Sequence, residues 1–305
     1  MRIEFKIYIY ILILLSIIIY IFKANSIIII VLLYAMISVY LLYIRKTVSC
    51  EYTKYSLYKS SNIPNVIYTY WHDTNMPEII KKCIDSWKHH NPTYTVNIIN
   101  KDTLHKYMDS SIIPSTYSHQ LTSDLIRLYI LEKYGGMWLD ASIYLNQSLN
   151  WVHSYQKKEN TEFVGYRLKL FETKDIPVVE SWFLCAVPNS VFIKDWKNKL
   201  FKVLSYKSPV EYVDELIKKT DIQNISIPYY LMIHVACQYI LQYNKKKYKI
   251  SLLDAEEGPL RFRSNPWYHL FMPIMVYNED KTTPLVKFRG GERKVLEILE
   301  SLQGF

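Results

Sequence analysis

Ser123–Ser142, SDLIRLYILEKYGGMWLDAS, is the stretch whose reading decides the fold. Leu125, Leu128, Tyr129 and Leu131 recur at helical spacing. Ser123 is the expected N-cap, with Asp124 near the positive end of the helix dipole. Asp124 and Arg127 are three residues apart, so their side chains leave one face of that helix. Gly135 and Gly136 end it, because glycine takes left-handed backbone at little cost. The apolar run Met137-Trp138-Leu139 then carries Asp140 to the end of a short strand. Loops at the C-terminal edges of strands are where open α/β sheets bind ligands. Two carboxylates and one guanidinium are therefore delivered toward one place.

Upstream, Val66–Trp71 is a β-rich run bounded by Pro64, and Pro77–His89 carries a helical stripe of Ile79, Ile80, Cys83, Ile84 and Trp87. Thr93–Ile99 reads as a second strand and Lys101–Met108 as a short helix. The alternation predicts an α/β domain with a largely parallel sheet. Downstream, Ile143-Tyr144-Leu145 leads into a polar turn, Glu162–Leu170 and Trp182–Val187 read as strands, and Val191–Leu204, Pro209–Lys219 and Pro228–Tyr243 as helices. His234, inside the last of these, reads as a core histidine. Leu252–Pro259 places Asp254, Glu256 and Glu257 in a loop, read as a solvated turn. Pro284–Phe288 precedes a closing helix that runs to Leu302. His89 and His90 are adjacent on a helix and diverge, so they are read as surface residues and not as a metal pair.

The combination of SD-x-x-R at Ser123–Arg127, YGG at Tyr134–Gly136, and an apolar pair followed by D-x-[DST] at Asp140–Ser142 resembles the sugar-binding region of family 32 glycosyltransferases. The likeness is closest to the capsular-polysaccharide-synthesis branch, with the glucosylating bacterial toxins more distant. It covers roughly residues 63–300. It implies a GT-A-type nucleotide-diphospho-sugar transferase fold and a hexosyltransferase-like activity. A sugar would pass, with retention of configuration, from a nucleotide-diphosphate donor to a glycan or lipid-linked acceptor.

The same resemblance implies roles for matched positions. Asp124 and Arg127 would hydrogen-bond the donor sugar, and Asp140 would bind ribose or sugar hydroxyls and approach a metal. Ser142 occupies the place that usually ligates Mn²⁺ or Mg²⁺, where most of the superfamily carries a second acid and the capsular branch often carries a hydroxyl. A neutral hydroxyl is a weak ligand for a hard cation. Either Asp140, a downstream acid, waters and the diphosphate hold the metal, or cationic side chains replace it. Trp71, at the end of the first strand, would stack on the nucleotide base. Looser carry-overs put Glu180, Ser181 and Trp182 near the sugar, and His269, Lys287 or Arg289 near phosphate.

Residues 1–44 have a different character. Phe5–Phe22 and Ile27–Ile44 are apolar runs separated by Lys23-Ala24-Asn25-Ser26. Each is about 18 residues, roughly 27 Å as a helix, close to the ~30 Å of bilayer hydrocarbon. They read as a transmembrane helical hairpin, followed by a linker over 45–62 and the catalytic domain over 63–305. Arg2 precedes the first run, Lys6 lies at its very start, and Arg45 and Lys46 follow the second, so the positive-inside rule puts both ends in the cytosol. The expectation is a multi-pass membrane protein with its catalytic domain on the cytosolic face. A single signal anchor with a reinserting helix would face the domain to a lumen instead.

The net charge of +9 fits lysines drawn to anionic lipid, or an acidic ligand such as a nucleotide diphosphate. No nucleic-acid motif accompanies the Lys245-Lys246-Lys247 run, so no nucleic-acid partner is expected. Cys50, Cys83, Cys185 and Cys237 form no C-x-x-C pair, which argues for ordinary thiols over a zinc site. Two readings compete with an active transferase: a catalytically silent relative that binds sugar nucleotides, and a membrane-tethered basic scaffold.

Overall fold

The computed structural model describes residues 49–52, 61–169, 176–222, 225–244, 248–260 and 283–303. The expected transmembrane hairpin, most of the linker, the Lys245–Lys247 run and His269 lie outside the described residues. Among the described residues, no helix is long and apolar enough to cross a membrane.

A seven-stranded sheet forms the centre, in the order β1-β8-β6-β7-β4-β2-β3. Its strands are β1 (Ser49–Tyr52), β2 (Val66–Tyr70), β3 (Thr95–Ile99), β4 (Gly136–Leu139), β6 (Phe163–Arg167), β7 (Val179–Ala186) and β8 (Ile250–Asp254). A separate two-stranded sheet pairs β5 (Ile143–Leu145) with β9 (Leu285–Lys287). The helices are α1 (Glu78–His90), α2 (His119–Tyr134), α3 (Asn150–Glu159), α4 (Val191–Leu200), α5 (Pro209–Lys218), α6 (Met232–Asn244) and α7 (Gly290–Gln303).

Apolar side chains of α2, α4, α5 and α6 bury one face of the large sheet, while α1, α3, α7 and the β5–β9 pair cover the other. Strand β4 serves both, as the two-residue period of a strand requires: Trp138 packs into the first core, Met137 and Leu139 into the second.

The sheet is mixed, which corrects the expectation of a largely parallel one. Strand β2 runs parallel to β3 and β4, and β6 runs parallel to β8. Strand β7 is antiparallel to both β4 and β6, and β1 is antiparallel to β8. Only residues 168–178 separate β6 from β7, short of the dozen or more residues that a parallel crossover needs.

Other boundaries move for local reasons. Helix α2 starts one turn early: Ser118 is its N-cap, accepting from the Leu121 amide, and Leu121 extends the buried stripe. Ser123 is therefore inside the helix, and Asp124 lies beyond its first turn. The expected helix over Lys101–Met108 is a single 3₁₀ turn, Leu104–Lys106. The polar segment after β5 becomes helix α3, with Val152 and Gln156 buried. Asp254 is no solvated turn residue. It ends β8 fully buried, 2.8 Å from Arg167 Nε and 3.3 Å from Lys169 Nζ.

Candidate active site

Gly135 and Gly136 set the site's geometry. Both have positive φ, +64° and +97°, so the chain leaves α2 and enters β4 with only Gly135 between them. Space demands glycine as well as torsion. A Cβ on Gly135 would lie 2.5 Å from the Pro188 nitrogen, and one on Gly136 would lie 2.7 Å from the Val66 carbonyl oxygen. The tight return places the middle of α2 against the C-terminal end of β4. Asp140 continues the alternation that turns Trp138 toward α2, and its amide donates to the Trp182 carbonyl of β7 at 2.9 Å.

Arg127 is the hub. It is 4% exposed, and its guanidinium lies 5.1 Å from the centre of the Trp138 ring. Nη2 lies 3.1 Å from Asp124 Oδ1, and Nη1 lies 3.3 Å from Asp140 Oδ1. Nη1 also donates to the Ser181 carbonyl at 2.5 Å. Nε donates to the Ser123 carbonyl, and Nη2 to the Ser123 hydroxyl. Three of its N–H groups thus donate to Ser123 and Ser181, while the two carboxylates are held beside it as ion pairs. Ser123, expected as the cap, instead holds the guanidinium from one turn below.

Asp124 is 2% exposed and also accepts from Gln120 Nε2 at 2.9 Å. Burial pushes its carboxyl up to about 6, against the opposing pull of Arg127 and then His234. Asp140 keeps about a quarter of its side chain exposed (26%). Burial raises its carboxyl too, but Lys287, then Arg127, outweigh it and hold the group below its ordinary value. Trp138 Nε1 donates to Oδ1 of Asp140 at 3.2 Å.

Lys287 completes the cluster. Its Nζ donates to Asp140 Oδ2 and to Ser142 Oγ, each at 2.8 Å. The strand pairing fixes this contact: Lys287 sits opposite Ile143, and the Phe288 amide donates to the Ser142 carbonyl at 2.9 Å. Sequence reading placed Lys287 only loosely near phosphate. The contact depends on the antiparallel β5–β9 pair, which the local pattern of Ile143-Tyr144-Leu145 does not announce.

Trp71 is half-buried, just past the end of β2 and against the α1-side core. Strands β2 and β4 are parallel, with Tyr68 opposite Trp138, so Trp71 and Asp140 share one edge of the sheet. Beside it, His72 stacks on His119 at 3.8 Å between ring centres. Glu180 and His234 lie within the core, 3.5 Å apart, and Trp182 stacks on Tyr166. His89 is on the surface, and Cys83, Cys185 and Cys237 are buried thiols.

A divalent cation does not fit the D-x-S motif as it stands. One carboxylate and one hydroxyl are its donors, and both already accept hydrogen bonds from a single ammonium. Of the three downstream acids, Asp254, Glu256 and Glu257, Asp254 is paired with Arg167 and Lys169, and Glu256 accepts from the Lys169 amide. Among the described residues, no three His, Cys, Asp or Glu side chains group as metal ligands.

Comparison with known proteins adds independent findings. The profile of the family described as capsular polysaccharide synthesis protein matches residues 35–259. An O-glycosyltransferase, braB of Annulohypoxylon truncatum, is 27% identical over 158 residues, which is 45% of this chain and 37% of that protein. This chain thus spans little more than a third of that relative's length. Among solved structures, the galactosyltransferase LgtC, in complex with donor and acceptor sugar analogues, is similar at a TM-score of 0.41 and 12% identity, covering 77% of this chain and 95% of that one. The glycosyltransferase GlyE of Streptococcus pneumoniae TIGR4 is similar at 0.41 and 12%, covering 75% and 55%.

Proposed function

The chain belongs to the capsular polysaccharide synthesis protein family, and from that premise we propose that it is a GT-A-type glycosyltransferase. It moves a sugar from a nucleotide-diphosphate donor to a hydroxyl of a glycan or lipid-linked acceptor. Residues 1–44 anchor it in the membrane, with the catalytic domain on the cytosolic face. The observation that carries the reading is the junction of Asp124, Arg127 and Asp140 beside the C-terminal edge of parallel strands β2 and β4. Those three side chains come from the sequence block that resembles the sugar-binding region.

Their exposures divide the labour. Asp140 is the carboxylate that a ligand reaches, and it accepts hydrogen bonds from ribose or sugar hydroxyls. Arg127 is buried and anchored on Ser123 and Ser181, so it is a positioning residue whose charge holds the Asp140 carboxylate. Asp124 acts through Arg127 in the same way, with Trp71 offering its ring to the nucleotide base. In the transfer, the bond from the anomeric carbon to the diphosphate oxygen breaks, and its electron pair leaves with the diphosphate. The acceptor oxygen bonds to that carbon on the same face, and its proton leaves on the departing diphosphate. Offsetting the charge that grows on the leaving group is the site's main electrostatic task.

Ser142, in place of a second acid, favours a second reading: a silent relative that binds sugar nucleotides without turnover. The full-length protein, solubilised in detergent and incubated with a panel of sugar nucleotides, separates the two. Release of nucleoside diphosphate supports the enzyme. Saturable donor binding with no release supports the silent relative, and no binding to any donor rejects both.

A further inference from the structure

Resting on the sugar-nucleotide reading, we infer that the ammonium of Lys287 is the resident cation of this site, standing where the D-x-S motif would otherwise present a divalent metal. Its Nζ is equidistant, at 2.8 Å, from the two oxygens which that motif offers, Asp140 Oδ2 and Ser142 Oγ. The lysine is no wandering surface chain. Its side chain is 12% exposed, and its strand is stitched to the motif by the pairing of Ile143 with Lys287 and by the Phe288 amide on the Ser142 carbonyl.

The identity of residue 142 follows from this arrangement. An ammonium bridging two carboxylates would leave a net negative charge where the diphosphate must dock. A serine leaves one carboxylate balanced by one ammonium and still supplies an acceptor. Mg²⁺ asks for near-octahedral oxygen ligands, which one carboxylate and one hydroxyl do not approach. Asp124 cannot supply a further ligand to the motif: it is 2% exposed and held by Arg127 and Gln120.

An ammonium has three N–H donors. Two are spent on Asp140 and Ser142, and the third has no acceptor among the described residues. Lys287 donates it to an oxygen of the donor's leaving phosphate. When the anomeric C–O bond breaks and its electrons pass to that oxygen, the hydrogen bond strengthens and Nζ keeps its proton. The site therefore works without added metal, and Asp140 orients the lysine as well as the sugar.

The test is calorimetric binding of UDP, GDP, ADP and CDP to the full-length protein in detergent, in EDTA and again in Mn²⁺. The expected result is that whichever diphosphate binds does so equally in both buffers. Lys287→Met, which keeps the aliphatic stem, weakens that binding by about tenfold or more, as loss of one charge-assisted hydrogen bond requires. Binding by the wild type that vanishes in EDTA and returns with Mn²⁺ overturns the inference and leaves the donor reading standing. Undiminished binding by Lys287→Met overturns it equally. If the variant does not fold, the wild-type comparison decides alone. Failure of all four diphosphates in both buffers overturns the donor reading and the inference together.

Discussion

Arg127 Nη1 lies 3.3 Å from Asp140 Oδ1, joining the middle of a helix to the end of the strand that follows it. The same guanidinium pairs with Asp124 and caps the Ser181 carbonyl, all in a buried setting. Removing it leaves the buried Asp124 carboxylate without its cation and Asp140 with Lys287 alone. Arg127→Ala is expected to cost about 3–5 kcal/mol, the usual penalty for breaking a buried pair from one side. Urea denaturation measures it. Arg127→Lys keeps the charge but not the planar fork, so it recovers only part of the loss.

Asp124 gives the fold a specific pH dependence. Burial, against the pull of Arg127, lifts its carboxyl from 3.8 to about 6. Between those values the folded chain keeps a proton that the unfolded chain has released. Stability therefore falls as pH rises through this window, by roughly 3 kcal/mol in all. Asp140 has the opposite sign: its carboxyl is held below 3.8, so its contribution is lost only in more acidic solution. Measured from pH 4 to pH 6.5, the stability of the wild type is expected to decline relative to Asp124→Asn. Parallel curves for the two proteins would contradict the assignment.

How far the sequence revealed this site depends on the range of each contact. The block from Ser123 to Ser142 was legible because its geometry is local: helical spacing, two glycines and a period-two strand place Asp124, Arg127 and Asp140 almost unaided. Local pattern alone does not separate Ser123 from Ser118 as the cap, and the burial of Leu121 decides for Ser118. Lys287 is 147 residues from Asp140, and no periodicity reports a pairing of that reach. The same limit hid the antiparallel course of β7 and the commitment of Asp254 to Arg167. Long-range register decides those, and it is set by which faces must be buried together.

Gly136 tests the local part of the argument. Its φ of +97° is outside the range of ordinary side chains, and an added Cβ would meet the Val66 carbonyl of the neighbouring strand. Gly136→Ala is expected to lose about 1–3 kcal/mol from the torsion alone, with further loss as β4 shifts from β2. Differential scanning calorimetry checks this. An unchanged midpoint would mean that the α2–β4 return is looser than described.

Trp71 tests the reach of the site along the sheet edge. If its half-exposed ring carries the nucleotide base, Trp71→Ala loses roughly 1–3 kcal/mol of nucleoside diphosphate binding, while Trp71→Phe retains most of it. Titration calorimetry separates this from a packing role. A core tryptophan would lower the unfolding midpoint in both variants and leave the affinity of the folded protein unchanged.

The most direct test of the central claim compares wild type and Asp140→Asn in the release of nucleoside diphosphate from the donor that the wild type accepts. The substitution keeps the shape and removes the charge that Arg127 and Lys287 both address. A fall in turnover of about 10²-fold or more is predicted, the scale expected when a preorganised polar group at the reacting centre is lost. Turnover by Asp140→Asn at the wild-type rate would contradict the account.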